Sequence, residues 1–172
     1  PDLRKGTMAE KILVVDDEWE LRNLLTEFLT GEGYDVIQAS NGEEALELAE
    51  KEEPQVILLD VNMPGIDGIE VCRRLKEEDK TRFIPIIMVT ALEDRDVDAF
   101  VEGADDFVTK PFSLVELSFR VKSMLRIKYL TDDLQRSLAY IEELDISFSK
   151  NTAESLAPLF YWHRVCIGES VG

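Results

Sequence analysis

The stretch that decides the fold is Val56-Ile57-Leu58-Leu59-Asp60, in which four consecutive apolar residues end on a carboxylate. A short continuous apolar run of this kind is typical of a strand that is buried on both faces. Further strand-like segments occur at residues 12–15, 34–38, 84–89 and 106–109. The sequence therefore predicts five short strands, and the strand that ends at Asp60 is the third.

Helical patterns lie between these strands. Apolar spacing predicts a helix at residues 19–29, first-turn acids predict one at 42–51, and Asp67 is a candidate N-cap for one at 68–78. Further helices are predicted at about residues 94–102 and after Pro111. Strands that alternate with helices form a parallel sheet covered on both faces. The predicted fold class is therefore α/β, with a five-stranded, doubly wound parallel sheet.

The composition excludes several classes of protein. The 172 residues include 36 Asp and Glu against 19 Lys and Arg, a net charge of −17 that argues against nucleic acid or an anionic membrane surface as a partner. No apolar run is long enough to span a membrane, and the start of the chain does not resemble a secretory signal. Two cysteines fit a reducing compartment. We therefore expect a soluble, cytoplasmic protein.

Polar and charged residues follow the predicted strands. They are Asp16 and Asp17 after the first, Asp60 at the end of the third, Thr90 after the fourth and Lys110 after the fifth. The functional crevice of an open parallel sheet lies beyond the carboxyl ends of its strands, so we expect these side chains to converge. Clustered carboxylates need a cation, and oxygen ligands favour Mg²⁺ or Mn²⁺. A carboxylate beside such a metal and a lysine is equipped to attack a phosphoryl group and form an aspartyl phosphate. Each residue taken alone also has a structural explanation, as a turn residue, a helix cap or a solvated lysine.

The combination of motifs resembles the response-regulator receiver domain of two-component signalling. The motifs are Val14-Val15-Asp16-Asp17-Glu18, Leu58-Leu59-Asp60-Val61-Asn62-Met63-Pro64-Gly65-Ile66-Asp67-Gly68, Val89-Thr90-Ala91 and Thr109-Lys110-Pro111-Phe112. The resemblance covers residues 8–126 and implies the flavodoxin-like fold of CheY-like receivers. Residues 1–7, which precede Met8, are expected to be a remnant that does not belong to the domain.

The resemblance implies a role for each carboxylate. Asp60 would be the phosphoacceptor, and the phosphoryl group would come from a partner sensor histidine kinase. Asp17, Asp60 and the backbone carbonyl of Asn62 would ligate Mg²⁺, for which Mn²⁺ can substitute, and Asp16 would bind the metal through water. The domain would be a regulatory phosphoacceptor and not an enzyme.

The resemblance also implies residues for phosphoryl contact and switching. Thr90, Lys110 and the backbone amide of Ala91 would contact the phosphoryl oxygens, and the Lys110–Pro111 bond would be cis. Thr90 and Phe107 would form the switch, since Phe107 lies where the family has its switch aromatic and an inward movement of Thr90 would leave space for its ring. Phosphorylation would thus remodel the face made by the fourth helix, fifth strand and fifth helix. An alternative is that Phe107 is simply a core residue.

Residues 127–150 are predicted to extend the fifth helix as a coiled coil. Two seam positions recur every seven residues, with Ile127, Leu134, Ile141 and Phe148 at one and Leu130, Ser137 and Leu144 at the other. The helix would either pair with a second copy or fold back on its own receiver. Residues 151–172 stay unassigned, because they lack a clear period and Pro158 interrupts them.

The segment after the receiver resembles linkers to diguanylate cyclase, phosphodiesterase or kinase domains. No motif of those enzymes is present, so the output domain would be missing or separate.

Two rival functions need other residues after the first strand. A phosphatase of the haloacid-dehalogenase type would need Asp-x-Asp there, and a flavodoxin-like flavin carrier would need Ser, Thr and Gly. This chain has Asp16-Asp17-Glu18. A receiver that is never phosphorylated is the remaining alternative.

Overall fold

The computed structural model describes residues 9–91 and 103–166, and for residues 145–166 it describes the backbone alone. Its elements are β1 Lys11–Val15, α1 Trp19–Gly31, β2 Asp35–Ala39, α2 Gly42–Glu52, β3 Val56–Asp60, α3 Gly68–Glu77, β4 Ile86–Ala91, β5 Asp106–Lys110 and α4 Leu114–Cys166. The five strands form one sheet in the order β2-β1-β3-β4-β5, and each neighbouring pair is parallel. The predicted α/β fold is confirmed. The helix predicted at about residues 94–102 lies outside the described residues.

The largest difference from the predicted strands is at β4, which was expected at residues 84–89 and lies at Ile86–Ala91. Proline has no amide to donate, so Pro85 contributes only its carbonyl, which accepts from the Ile57 amide at 3.0 Å. The Ile86 amide is held by the Asp105 carboxylate at 2.8 Å. At the other end Thr90 pairs with Thr109 and Ala91 with Lys110, which extends the strand beyond its apolar run.

Two apolar clusters lie on opposite faces of the sheet. Leu13 and Val15 of β1 belong to the cluster that includes buried residues of α2 and α3. Ile12 and Val14 belong to the other, which includes buried residues of α1 and of α4 up to Leu125. Successive side chains of a strand point to opposite faces, so a strand buried on both sides must be apolar throughout, as β1 is.

Side chains cap α2 and α3, two of the helices that begin near the carboxyl edge of the sheet. Asn41 Oδ1 accepts from the Glu44 amide at 2.9 Å at the start of α2. Asp67 Oδ1 accepts from the Glu70 amide at 2.8 Å at the start of α3, as predicted. These caps satisfy amides that have no partner within the helix and fix where each helix begins.

The helix α4 runs from Leu114 to Cys166 and contains the predicted extension at residues 127–150. The first compact unit of the chain ends at Leu130 and the second begins at Thr131. The expectation that Pro158 interrupts residues 151–172 is wrong, because the backbone stays helical through Pro158. A proline removes one helical hydrogen bond, but the bonds on either side of it remain. No helix in the described part of the chain is long and apolar enough to cross a membrane.

Candidate functional site

Three carboxylates converge at the carboxyl edge of the sheet. Asp60 ends β3, and Asp16 and Asp17 follow directly after the neighbouring β1. One carboxylate oxygen from each of the three lies within 4.8 Å of the others. Asp16 is 2% exposed and Asp60 3%, whereas Asp17 is exposed at the mouth of the cluster. The predicted grouping of these acids is therefore confirmed, and its donor set consists of the oxygens that Mg²⁺ and Mn²⁺ prefer.

Lys110 joins the cluster from the end of β5. Its Nζ donates to Asp60 Oδ1 at 2.7 Å and to Asp16 Oδ2 at 3.2 Å. Burial lowers the pKa of Lys110, but the hydrogen bond and charge of Asp60, together with those of Asp16, outweigh it and raise the pKa overall. The ammonium is therefore fully charged at neutral pH and contacts the carboxylate that the resemblance assigns to phosphorylation.

Burial dominates the electrostatics of Asp60. It raises the pKa of this carboxyl from 3.8 to about 6, although the Lys110 hydrogen bond and charge oppose the change. The charges of Asp16 and Asp17 add to the effect of burial. A bound divalent cation would have the opposite effect, because it stabilises the ionised carboxylate. The cluster thus fits a metal in both chemistry and charge.

The turn between β1 and α1 holds Asp16 through its side chain and its backbone. Asp16 Oδ1 accepts from the Glu18 amide at 2.8 Å, and the Asp16 amide donates to the Ala39 carbonyl at 3.3 Å. The Asp16 carbonyl accepts from Arg22 Nη1 at 2.5 Å, and Arg22 Nε donates to Gln38 Oε1 at 3.1 Å. The sequence reasoning missed Arg22, because an arginine in the first turns of an amphipathic helix carries no signal of such a contact.

The loop after Asp60 is held close to the strand ends. The Val61 amide donates to the Val89 carbonyl at 2.9 Å, and the Gly68 amide donates to the Val61 carbonyl at 3.0 Å. A Cβ atom on Gly68 would lie 2.0 Å from the Asp60 carbonyl oxygen, so only glycine fits there. Asn62, which the resemblance assigns as a backbone ligand, lies in this loop and is exposed. The structure thus explains the glycine that ends the motif.

Thr90 and Phe107 differ sharply in exposure. Thr90 is buried near the end of β4, where its Oγ1 donates to the Ala91 carbonyl at 3.3 Å. Phe107 is 46% exposed, so the alternative that it is simply a core residue is wrong. Its role as a switch stays a prediction, as do the phosphoryl contacts of Thr90 and Ala91. The Lys110–Pro111 bond is cis, as the resemblance implied.

Comparison with known proteins agrees with this geometry. Residues 12–122 match the model of the response regulator receiver domain. The chain is 45% identical over 131 residues to the response regulator PleD of Caulobacter vibrioides, a match that covers 75% of this chain and 29% of PleD. It is 52% identical over 122 residues to the alkaline phosphatase synthesis transcriptional regulatory protein PhoP of Bacillus subtilis, covering 69% of this chain and 50% of PhoP. The chain thus spans half or less of the length of these relatives.

A solved structure gives the same result. The signal receiver domain of a signal transduction histidine kinase from Syntrophus aciditrophicus superposes with a TM-score of 0.65 at 41% identity, covering 69% of this chain and 91% of that one. The family match covers more than half of the chain, and the acidic cluster with its lysine lies within the matched residues. The chain therefore belongs to the response regulator receiver domain family.

Proposed function

We propose that this receiver accepts a phosphoryl group on Asp60 from a partner sensor histidine kinase and passes the signal on as a conformational change. The observation that carries the proposal is the cluster of Asp16, Asp17 and Asp60, in which Asp16 and Asp60 accept hydrogen bonds from the ammonium of Lys110. The domain would act as a cytoplasmic phosphoacceptor in a two-component system, and not as an enzyme with a separate substrate.

The transfer follows from the positions of these groups. An Asp60 carboxylate oxygen attacks the phosphorus of the phosphohistidine, an O–P bond forms, and the P–N bond breaks with its electron pair returning to the imidazole. Asp16, Asp17, Asp60 and the Asn62 carbonyl would hold Mg²⁺, which when bound supplies positive charge to the phosphoryl oxygens. Lys110, already 2.7 Å from Asp60 Oδ1, would then pair with a phosphoryl oxygen, and Thr90 and Ala91 would donate to the others.

The test is intact mass after incubation with acetyl phosphate and Mg²⁺. The wild type is expected to gain the mass of one phosphoryl group, and Asp60→Asn to gain none. A matched control is Asp67→Asn, which removes an exposed carboxylate seven residues away in the sequence and should phosphorylate as the wild type does. A wild type that gains no mass in Mg²⁺ and does not bind beryllofluoride would contradict the proposal. The receiver would then be one that is never phosphorylated.

The exposed apolar side chains of α4 support a homodimer as the route to an output. In the first unit Ile127 and Leu130 are exposed, and in the second unit so are Leu134, Ile141 and Leu144. One seam position includes Ile127 and Ile141, and the other includes Leu130 and Leu144. Such isoleucine and leucine pairs favour a parallel two-stranded coiled coil. We propose a second copy of this chain as the occupant, and a separate or missing output domain as the recipient of the signal.

Ser137 gives a direct test of the dimer. It occupies a seam position that is otherwise leucine, so Ser137→Leu should tighten the dimer about tenfold or more in light scattering of the phosphorylated protein. The matched control is Ala139→Leu, which adds an apolar side chain on the far side of the helix. Equal dissociation constants for the wild type and Ser137→Leu would favour a helix that folds back on its own receiver.

A further inference from the structure

We propose that Arg22 is a positioning residue for the carboxylates of Asp16 and Asp17. The inference rests on the proposed metal-assisted phosphorylation and adds a residue that the motifs did not identify. Its basis is the 2.5 Å hydrogen bond from Arg22 Nη1 to the carbonyl oxygen of Asp16. Arg22 thereby acts through the backbone and not by contact with the reacting atoms.

The peptide that Arg22 holds is the one that joins the two acids. The Asp16 carbonyl belongs to the Asp16–Asp17 peptide, which is planar, so fixing the direction of its oxygen limits one dihedral angle on each side. These are ψ of Asp16 and φ of Asp17, and together they set where the Asp17 side chain leaves the chain. Asp17 is exposed, so packing does little to orient it. A small rotation of this peptide would therefore move the Asp17 oxygen away from those of Asp16 and Asp60.

Arg22 is itself held by two further contacts, one of its guanidinium and one of its backbone. Its Nε donates to Gln38 Oε1 at 3.1 Å, and Gln38 lies in β2 beside Val14 of β1. The Arg22 amide donates to the Glu18 carbonyl at 3.0 Å in the first turn of α1. Arg22 thus links the start of α1, the end of β2 and the turn that carries the acids. A planar group with several donors can hold such an arrangement, whereas lysine presents a single ammonium.

The charge of Arg22 and its geometry have opposite effects on a metal. A positive charge near the cluster disfavours a cation, so loss of the charge alone would tighten metal binding. Both hydrogen bonds of the guanidinium go to neutral oxygens, those of the Gln38 side-chain amide and the Asp16 carbonyl. The carboxylate oxygens of Asp16 therefore stay available to the Glu18 amide, the Lys110 ammonium and a metal. Groups that orient metal ligands typically contribute 10- to 100-fold to metal affinity. We expect the geometric effect to dominate and the affinity to fall when Arg22 is replaced.

The experiment measures free Mn²⁺ by its electron paramagnetic resonance signal during titration of the full chain. Arg22→Met should raise the Mn²⁺ dissociation constant about 10- to 100-fold, and Arg22→Lys should raise it less. The matched control is Arg120→Met, which removes an arginine that pairs with Asp106 and does not contact the carboxylate cluster. Urea unfolding of each variant reports whether it is folded at the titration temperature, and Arg22→Lys serves if Arg22→Met is not.

A second readout separates positioning from general loss of structure. In phosphorylation by acetyl phosphate, Arg22→Lys should raise the half-saturating Mg²⁺ concentration while the rate at saturating Mg²⁺ stays within about threefold of wild type. Unchanged or tighter Mn²⁺ binding in both Arg22 variants would overturn the inference and leave the proposed function intact. A wild type that binds no Mn²⁺ would overturn both, so the two failures are distinguishable.

Discussion

Replacing Asp60, the proposed phosphoacceptor, by its neutral isostere asparagine should stabilise the metal-free protein. Asp60 is 3% exposed and its pKa is raised to about 6 by burial, so at neutral pH the folded state holds an ionised carboxylate in an unfavourable place. Asp60→Asn keeps the shape of the side chain and removes the charge. The Asp60→Asn variant, which on the proposed function cannot be phosphorylated, is therefore expected to be more stable than the wild type.

The magnitude follows from the shift in pKa. Because the folded state binds the proton of Asp60 more tightly than the unfolded state, the free energy of unfolding of the wild type falls as the pH rises from 3.8 through 6. At about 1.4 kcal/mol per pKa unit, the shift to about 6 corresponds to about 3 kcal/mol above pH 7. About half of this destabilisation by the ionised carboxylate remains at pH 5, and almost none below pH 3.8. Asp60→Asn lacks this pH dependence, so the difference in the free energy of unfolding between the two proteins should vary with pH in the same way.

The assay is urea unfolding followed by circular dichroism, in EDTA, at pH 7.5 and pH 5. Asp60→Asn should be about 3 kcal/mol more stable than the wild type at pH 7.5, and about half as much more stable at pH 5. Asp67→Asn is the control, since asparagine caps a helix as well as aspartate does, and it should change stability by less than about 0.5 kcal/mol. Added Mg²⁺ should stabilise the wild type more than Asp60→Asn. An Asp60→Asn variant that is less stable than the wild type at pH 7.5 in EDTA would refute the assigned electrostatics.

Two further predictions concern residues outside the acidic cluster. Gly68→Ala should lower the free energy of unfolding by at least about 2 kcal/mol, because its Cβ would lie 2.0 Å from a backbone oxygen. The control is Gly31→Ala, whose Cβ would have no atom within 4 Å, and which should be neutral or slightly stabilising in the same urea experiment. Equal changes in the free energy of unfolding for the two variants would show that the loop moves to accommodate the added Cβ, and would contradict the prediction. Burial raises the pKa of the Cys72 thiol to about 11, so little of it is thiolate at pH 8. In a Cys166→Ser background, Ellman's reagent at pH 8 should therefore modify Cys72 about 100-fold more slowly in the native protein than in the urea-unfolded chain. A native rate within tenfold of the unfolded rate would contradict this.

The strands and the acidic cluster could be predicted from the sequence because their signals are local. A run such as residues 56–59 is apolar at every position, and a parallel sheet brings the ends of its strands together whatever the details of packing. The ends of β4 could not be placed in the same way. Thr90 and Ala91 extend that strand by pairing with Thr109 and Lys110. The residue composition of either segment does not predict which residues pair.

The supporting residues of the site could not be predicted, because their contacts join distant parts of the chain. Arg22 reaches a backbone carbonyl, and no residue type in the sequence signals that such a carbonyl is accessible. Gly68 belongs to a motif that the sequence identifies, but its steric reason is the approach of the Asp60 carbonyl. The exposure of Phe107 likewise depends on what covers β5, and its apolar side chain is compatible with a core or a surface position. Side-chain type thus identified the residues of the acidic cluster and its lysine, but not the residues that contact their backbone.

The two ends of β5 connect the acidic cluster to α4. Lys110, at one end of the strand, binds Asp60, while Asp106, at the other, accepts two hydrogen bonds from Arg120 Nη1 at 2.7 and 2.9 Å. On its other side α4 is held by Glu32, which accepts from Ser118 and Lys122. Phosphorylation of Asp60 would give Lys110 a new partner, and any movement of β5 that follows would act on α4 through Arg120.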